Sequence, residues 1–191
     1  MTVANAPARQ TLRKAAFMRS LARGLHRDEN GAVLVEFAII LPILVVLFLG
    51  LAEFTEAFSV NRKLAGTAGA LADLVAQEPS VNDAYLADIS SLGQELMKPH
   101  NTAPLQLVIV SVVADANNNT TVDWSYPSSA YAKGAAYALP DDTLTTPNSS
   151  LIIAEASYNF TPTIGHFLGT FEMSESAYFR PRLAQKVTKI N

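Results

Sequence analysis

The sequence predicts an α+β protein in which a long N-terminal helix, membrane-spanning in its first half, packs on a small antiparallel sheet of about four strands. Three patterns lead to this fold class. An uncharged apolar segment lies near the N-terminus, a helical pattern of apolar residues continues from it, and strand-like segments separated by turn residues fill the second half. Apolar periodicity separates helices from strands, and helices followed by paired strands are typical of α+β folds.

The composition is that of a folded chain, but its charge is unequally distributed. Of 191 residues, 49% are hydrophobic and 16% are charged, and the formal net charge is −3. Residues 1–30 contain six basic and two acidic residues, whereas the remainder contains eight basic and fifteen acidic residues. The absence of cysteine excludes disulfides, thiolate zinc sites and cysteine nucleophiles. We therefore predict a basic leader at 1–31, a transmembrane helix at 32–54 and an exported α+β head domain at 55–191.

The apolar segment has the length of a membrane span. Residues 37–52 are uncharged, and a helix over residues 32–52 covers about 31 Å, close to the ~30 Å hydrocarbon core of a bilayer. Because basic flanks stay in the cytoplasm, we expect the leader there and the residues from about 55 onward to be exported. Five arginines of the leader share one arc of a helical wheel, which fits either a helix on the membrane surface or a flexible basic tail.

Two helices are predicted after the span. Apolar residues keep recurring at helical steps up to position 77, where Pro79 ends the pattern because proline disfavours helix in the residue before it. These residues are Phe54, Phe58, Leu64, Ala68, Leu71, Leu74 and Val75. A second helix is predicted over 81–97, capped by Ser80 or Asn82. Its apolar face would contain Tyr85, Ile89, Leu92 and Leu96.

Four segments are predicted as strands. Residues 105–113 are apolar on both faces and indicate a central strand. A turn cluster at 115–119 joins it to residues 120–126 in a hairpin, with Val122, Trp124 and Tyr126 inward. Residues 127–150 are predicted as a loop with one short helical turn around 131–137. Residues 171–180 close the sheet after a strictly alternating strand at 151–160, whose inward residues are Ile152, Ala154, Ala156, Tyr158 and Phe160.

Glu36 lies at the start of the apolar segment, where a carboxylate is costly. Insertion scales assign a free-energy cost of about 2.5–3.5 kcal/mol to a charged side chain at the centre of a membrane span. A cut after Gly31 would create an ammonium group on Ala32, four residues before Glu36 and on the same helix face. That amine, or the amine of a neighbouring subunit, would compensate the charge. A protonated or interfacial glutamate in a plain anchor helix explains the residue equally well. Pro42 is expected to kink or loosen the helix, or to be simply tolerated there.

No catalytic constellation is evident in the sequence, so we expect no enzyme activity and no cofactor. The three histidines, His26, His100 and His166, are scattered. Asp115, Asn117 and Asn119 are spaced like the start of a calcium loop, but the sixth position, expected to be glycine, is Thr120. A hairpin turn is therefore the better interpretation and calcium the weaker one. The acidic exported part argues against nucleic acid as a partner.

The residues around Gly31 resemble a known family. A glycine, four residues, then Glu36 and the aromatic Phe37, after a basic leader and before one apolar stretch, resemble a type IVb prepilin processing site. The stretch from Gly31 to about Gly69 is similar to the TadE-like minor pilins of tight-adherence (Flp) pilus loci, and residues 151–182 are similar to that family's ending. The resemblance implies cutting after Gly31 by a prepilin peptidase and a role for Glu36 in registering the subunit during assembly. It also implies other pilins and pseudopilins, the inner-membrane assembly platform and membrane lipid as partners.

Three functional hypotheses follow. The first is a minor pilin or pseudopilin of a tight-adherence type IVb pilus. It would be held in the bacterial inner membrane by a single pass, with a cytoplasmic N-terminus and a periplasmic C-terminal domain, and would enter an extracellular pilus. The second is an uncut single-pass envelope protein with a binding head. The third is a secreted soluble protein whose signal peptide ends at Ala52, because Gly50 and Ala52 form a small-residue cleavage site.

Overall fold

The computed structural model describes residues 29–162 and 169–190. The predictions for the basic leader up to residue 28, and for His26 and His166, lie outside the described residues. The chain divides into two compact units, an N-terminal unit (Met1–Leu49) and a C-terminal unit (Gly50–Asn191).

The long N-terminal helix is confirmed. Helix α1 (Glu29–Ala76) has 48 residues and contains Pro42. Within the C-terminal unit, one face of α1 is buried at steps of three and four residues, as an amphipathic helix on a sheet requires. The residues of this face include Ala57, Val60, Leu64, Ala68, Leu71 and Val75. Phe54 and Phe58, which share the helical pattern in the sequence, are instead 61% and 63% exposed.

The second helix, α2 (Asp83–Met97), begins later than predicted, and its buried face differs from the predicted one. The side chain of Asn82 accepts a hydrogen bond from the Tyr85 amide at 2.8 Å, so Asn82 rather than Ser80 is the N-cap. The predicted face is wrong at Leu92 and Leu96, which are 39% and 40% exposed. The buried face instead contains Leu86, Ile89, Gly93 and Met97.

Gly93 explains this rotation of α2. A Cβ added there would lie 2.5 Å from Leu107 Cδ1 and 3.0 Å from Leu71 Cδ1. An added methyl group would have to displace the ends of the Leu107 and Leu71 side chains, so glycine favours the close approach of α2 to α1 and the sheet. Apolar periodicity gives glycine no weight, so the sequence pattern placed the face toward Leu92 and Leu96, although Ile89 and Tyr85 are on the core side as predicted.

Replacing Gly93 with alanine is expected to lower the free energy of unfolding by about 1 kcal/mol. Overpacking costs about 1–3 kcal/mol and is partly offset by a helix-propensity gain of about 1 kcal/mol. The control is Gly66→Ala in α1, where an added Cβ meets nothing within 4 Å. This control is expected to stabilise the fold by about 0.5–1 kcal/mol. Denaturant unfolding of the full chain in detergent measures both, and equal stabilisation would contradict close packing at Gly93.

The sheet has four antiparallel strands, as predicted. They are β2 (Leu105–Ala114), β3 (Thr120–Tyr126), β4 (Ser150–Phe160) and β5 (Phe171–Phe179), in the order β3-β2-β4-β5. The hairpin of β2 with β3 and the inward alternation of β4 are both confirmed. The α1-facing side of the sheet forms two core clusters with α1, one around Ile109 and Ile152 and the other around Ala156 and Tyr158.

A bulge in the β2–β3 pair reverses one of the predicted side chains. Ser111 pairs with Trp124 and Val112 pairs with Val122, so Asp123 has no partner across the ladder. Trp124 therefore joins the core cluster on the α1 side, whereas Val122 belongs to the cluster on the opposite face. The prediction that both point the same way is wrong.

The segment between β3 and β4 covers the second face of the sheet. Residues Tyr131, Tyr137, Leu139 and Leu144 pack on a buried cluster that contains Val110 and Ile153. The predicted helical turn around 131–137 is wrong. Backbone hydrogen bonds from this segment to Val122 and Thr120 extend the edge of β3 there, and the short helical turn is at Asp142–Leu144.

The C-terminal residues hold α1 and the sheet together. A two-stranded parallel sheet pairs β1 (Ser80–Val81) with β6 (Thr188–Lys189), and the sequence pattern did not predict it. The Arg182 amide donates to the Ala76 carbonyl at 2.9 Å, and Trp124 Nε1 donates to the Val187 carbonyl at 2.8 Å. Val187 is fully buried in the same core cluster as Trp124.

Candidate functional site

The predicted processing and registration residues all lie in the first part of α1. Gly31 is half-buried, and Ala32, Glu36 and Phe37 are exposed. The helix is continuous through these positions, so Ala32 and Glu36 occupy i and i+4 places on one face. The geometry on which the predicted ammonium–carboxylate contact depends is therefore present in this chain.

The bond between Gly31 and Ala32 lies within the described part of α1. Glycine is a poor helix former, so the helix is intrinsically less stable at Gly31 than at the alanine and leucine residues that follow.

A long apolar surface follows Glu36. The helix is long and apolar enough to cross a membrane, with an 18-residue window of mean hydropathy 3.0 in which no residue is buried. Large side chains from Val33 to Phe48 are 42% to 70% exposed. Such a patch is far larger than the exposed apolar patches of soluble monomers and requires a nonpolar environment. α1 is thus a candidate membrane anchor.

Pro42 lies inside α1 without ending it. Proline lacks the N–H that would bond to the carbonyl of Ala38, so this carbonyl has one helical hydrogen bond fewer. The local loosening at Pro42 stays a prediction, and helices in membranes commonly contain proline.

The weak calcium candidate forms a hydrogen-bonded turn. Asp115 Oδ1 accepts from the amides of Asn117 and Asn119, both at 2.8 Å, and Oδ2 accepts from Asn119 Nδ2 at 3.0 Å. The hydrogen bonds with Asn119 hold the pKa of the Asp115 carboxyl below its ordinary value. Both carboxylate oxygens thus close the β2–β3 hairpin. In residues 29–162 and 169–190, no group of three or more His, Cys, Asp or Glu side chains is placed to hold a metal ion.

One polar cluster was not recognised in the sequence. The Glu155 carboxylate on β4 accepts hydrogen bonds from the hydroxyls of Tyr131 at 3.0 Å and Tyr137 at 2.5 Å. The two rings meet edge to face with centroids 5.5 Å apart. Burial, followed by the Glu155 hydrogen bond, raises the pKa of both tyrosines above its ordinary value. The cluster joins the loop to the sheet, and its residues are too far apart in sequence to be recognised as a motif.

Comparison with known proteins gives a family match that lies within α1 and covers most of it. Residues 31–73 match the family model described as TadE-like protein. The match begins at Gly31, which confirms the resemblance inferred from the prepilin-like residues. No curated protein and no solved structure matches the chain significantly.

Proposed function

We propose that this chain is a minor pilin or pseudopilin that takes part in assembling a tight-adherence type IVb pilus. It is held in the bacterial inner membrane by α1 before assembly, with the basic leader in the cytoplasm and the C-terminal unit in the periplasm. The observation that carries the proposal is the position of the TadE-like segment, which starts at Gly31 and runs along α1 to residue 73. The role is structural, and no enzymatic step is assigned to the chain.

The partners follow from the chemistry of α1. A prepilin peptidase cuts after Gly31, and the new Ala32 amine lies one turn from Glu36. The exposed apolar surface then passes from lipid to the corresponding surfaces of other pilins and pseudopilins at the assembly platform. This exchange replaces one nonpolar environment with another, so α1 leaves the bilayer without exposing its apolar residues to water.

The competing assignments predict different mature N-termini. An uncut anchor retains the leader, and a secreted protein with a signal peptide would begin at Glu53. Ala52 and Glu53 lie in the interior of α1, and Glu53 is fully buried in the C-terminal unit. A cut between them would divide the TadE-like segment of residues 31–73, and the match of that segment as one unit supports the pilin assignment.

The test is the N-terminal residue of the protein isolated from membranes and pili of its native host. Mass spectrometry is expected to find Ala32, with or without a methyl group on its amine. Gly31→Leu is expected to abolish this product, and the matched control Gly50→Leu is expected to leave it unchanged. A mature chain that begins at Glu53, or one that retains the leader in every fraction, would contradict the proposal.

A further inference from the structure

A stripe of exposed apolar side chains continues along α1 into the C-terminal unit. Leu51, Phe54 and Phe58 are 65%, 61% and 63% exposed. At 100° per residue they fall within one narrow arc of the helix, roughly opposite the buried Val60. We call Leu51, Phe54 and Phe58 the aromatic stripe, after its two phenylalanines.

The two carboxylates nearest the aromatic stripe do not interrupt it. Glu53 is fully buried in the C-terminal unit. Glu56 is half-buried and lines a cavity with Val60 and Tyr158, so it lies on the flank of α1 that faces the unit. The sequence suggests that the apolar segment ends at Glu53, but on the outward face of the helix the apolar surface continues to Phe58.

Polar groups on the same outward face suit contact with lipid. Thr55 Oγ1 donates a hydrogen bond to the Leu51 carbonyl at 2.8 Å, so this hydroxyl is satisfied within the helix. Arg62 is exposed one turn beyond Phe58. A guanidinium at the end of an apolar stripe complements lipid phosphates, toward which long basic side chains extend.

Helix geometry places these residues at the right depth. A hydrocarbon core about 30 Å thick needs about 20 helical residues at a rise of about 1.5 Å each. Counted from Ala32 that length reaches position 51, and counted from Phe37, the first residue after Glu36, it reaches position 56. The aromatic stripe therefore lies at the far edge of the core or just beyond it, and Arg62 lies at the level of the headgroups.

We infer that bilayer lipid covers the outward face of α1 as far as Phe58, with Phe54 and Phe58 inserted in the outer leaflet and Arg62 at the level of its phosphates. The partner is the membrane lipid itself rather than another protein. The inference rests on the membrane anchoring proposed above and extends the lipid-contacting surface into the C-terminal unit. Unassembled subunits would thus hold the first turns of this unit against the membrane.

The cysteine-free sequence permits a direct test by spin labelling. Single-cysteine variants of the full chain are labelled with a nitroxide and reconstituted in vesicles of phosphatidylcholine and phosphatidylglycerol. Collision with oxygen reports lipid exposure, and collision with a water-soluble nickel complex reports water exposure. Labels at Phe54→Cys and Phe58→Cys are expected to be accessible to oxygen and shielded from nickel, and the label at Arg62→Cys is expected to be at headgroup depth.

Two reference positions separate this inference from the proposed function. Leu44→Cys lies in the middle of the apolar segment, and Leu92→Cys lies on the exposed face of α2. If Leu44→Cys has a lipid profile but Phe58→Cys has the water profile of Leu92→Cys, the anchor stands and the extension to Phe58 is wrong. If Leu44→Cys is also in water, the anchoring itself fails. Shielding of Phe58→Cys from both reagents, together with spin–spin broadening, would indicate a second copy and overturn the lipid contact.

Discussion

Glu155→Ala is expected to lower the free energy of unfolding by about 2–3 kcal/mol, because the hydroxyls of Tyr131 and Tyr137 lose their charged acceptor. These tyrosines belong to the loop that covers the face of the sheet opposite α1. Loss of the acceptor therefore weakens the packing of this loop on Val110 and Ile153. Denaturant unfolding of the full chain in detergent measures the change.

Two further variants show whether the carboxylate or the shape of Glu155 matters. Glu155→Gln keeps one acceptor oxygen and is expected to cost about 1 kcal/mol, roughly the worth of one neutral hydrogen bond. Tyr137→Phe removes the partner at 2.5 Å and keeps the ring. In the double variant Glu155→Ala/Tyr137→Phe the losses are expected to be less than additive, because both changes remove the same contact. Additive losses would contradict a direct hydrogen bond.

An alkaline titration provides a readout that simple loss of packing would not alter. The pKa of Tyr131 and of Tyr137 is raised in the folded state by burial first and then by Glu155. Above about pH 10 the unfolded chain loses these phenolic protons while the folded chain keeps them, so stability falls as pH rises. The slope is at most about 1.4 kcal/mol per pH unit for each such tyrosine. Tyr137→Phe is expected to make the free energy of unfolding fall less steeply with pH above about pH 10. Phe54→Leu, in the aromatic stripe, is expected to leave this slope unchanged.

Local patterns in the sequence were sufficient for most of the fold. The strands β2, β3 and β4 start and end within one residue of their predicted bounds, because each has strong alternation or a continuous apolar run between turn residues. The predicted end of the long helix is also within one residue, because Pro79 limits it. Boundaries set by turn chemistry are local, and local information is what a sequence pattern contains.

The errors arose where direction depends on packing. Periodicity places Phe54 and Phe58 on a helix but does not indicate whether their side chains face the sheet or point away from it. The bulge at Asp123 turns Val122 to the other face, and one extra residue in a ladder leaves no periodic signal. The β1–β6 pair joins two-residue strands from distant parts of the chain, too short to have a pattern.

The proposed processing and registration residues could be named for the opposite reason. In the proposed function Gly31, Ala32, Glu36 and Phe37 would act through their linear order, which a sequence pattern contains in full. Helix α1 adds the spatial fact that Ala32 and Glu36 share a face. The Glu155 cluster was missed because its three residues come from the loop and from β4, and only the folded sheet brings them together.

Glu36→Ala is expected to produce two opposite effects in the native host. Removal of the carboxylate lowers the cost of membrane insertion by up to about 2.5–3.5 kcal/mol, so the chain should accumulate in the membrane at least as well as the wild type. Cleavage after Gly31 should continue, because Glu36 lies more than a turn from that bond. Incorporation into pili should nevertheless fall by about a hundredfold, since breaking an ion pair in a low-dielectric interface costs about 3 kcal/mol or more.

The two effects together distinguish registration from anchoring. If Glu36 merely marked the membrane boundary, better insertion would yield equal or greater incorporation, and that result would refute the registration role. Glu36→Gln is the matched control, because it keeps the size of the side chain and removes the charge. If the Ala32 ammonium is the partner, Glu36→Gln should fail in assembly nearly as completely as Glu36→Ala, whereas a role in packing alone would let it assemble. Quantitative immunoblots of membrane and sheared-pilus fractions, with the mature N-terminus confirmed in each, measure all three quantities in the same cells.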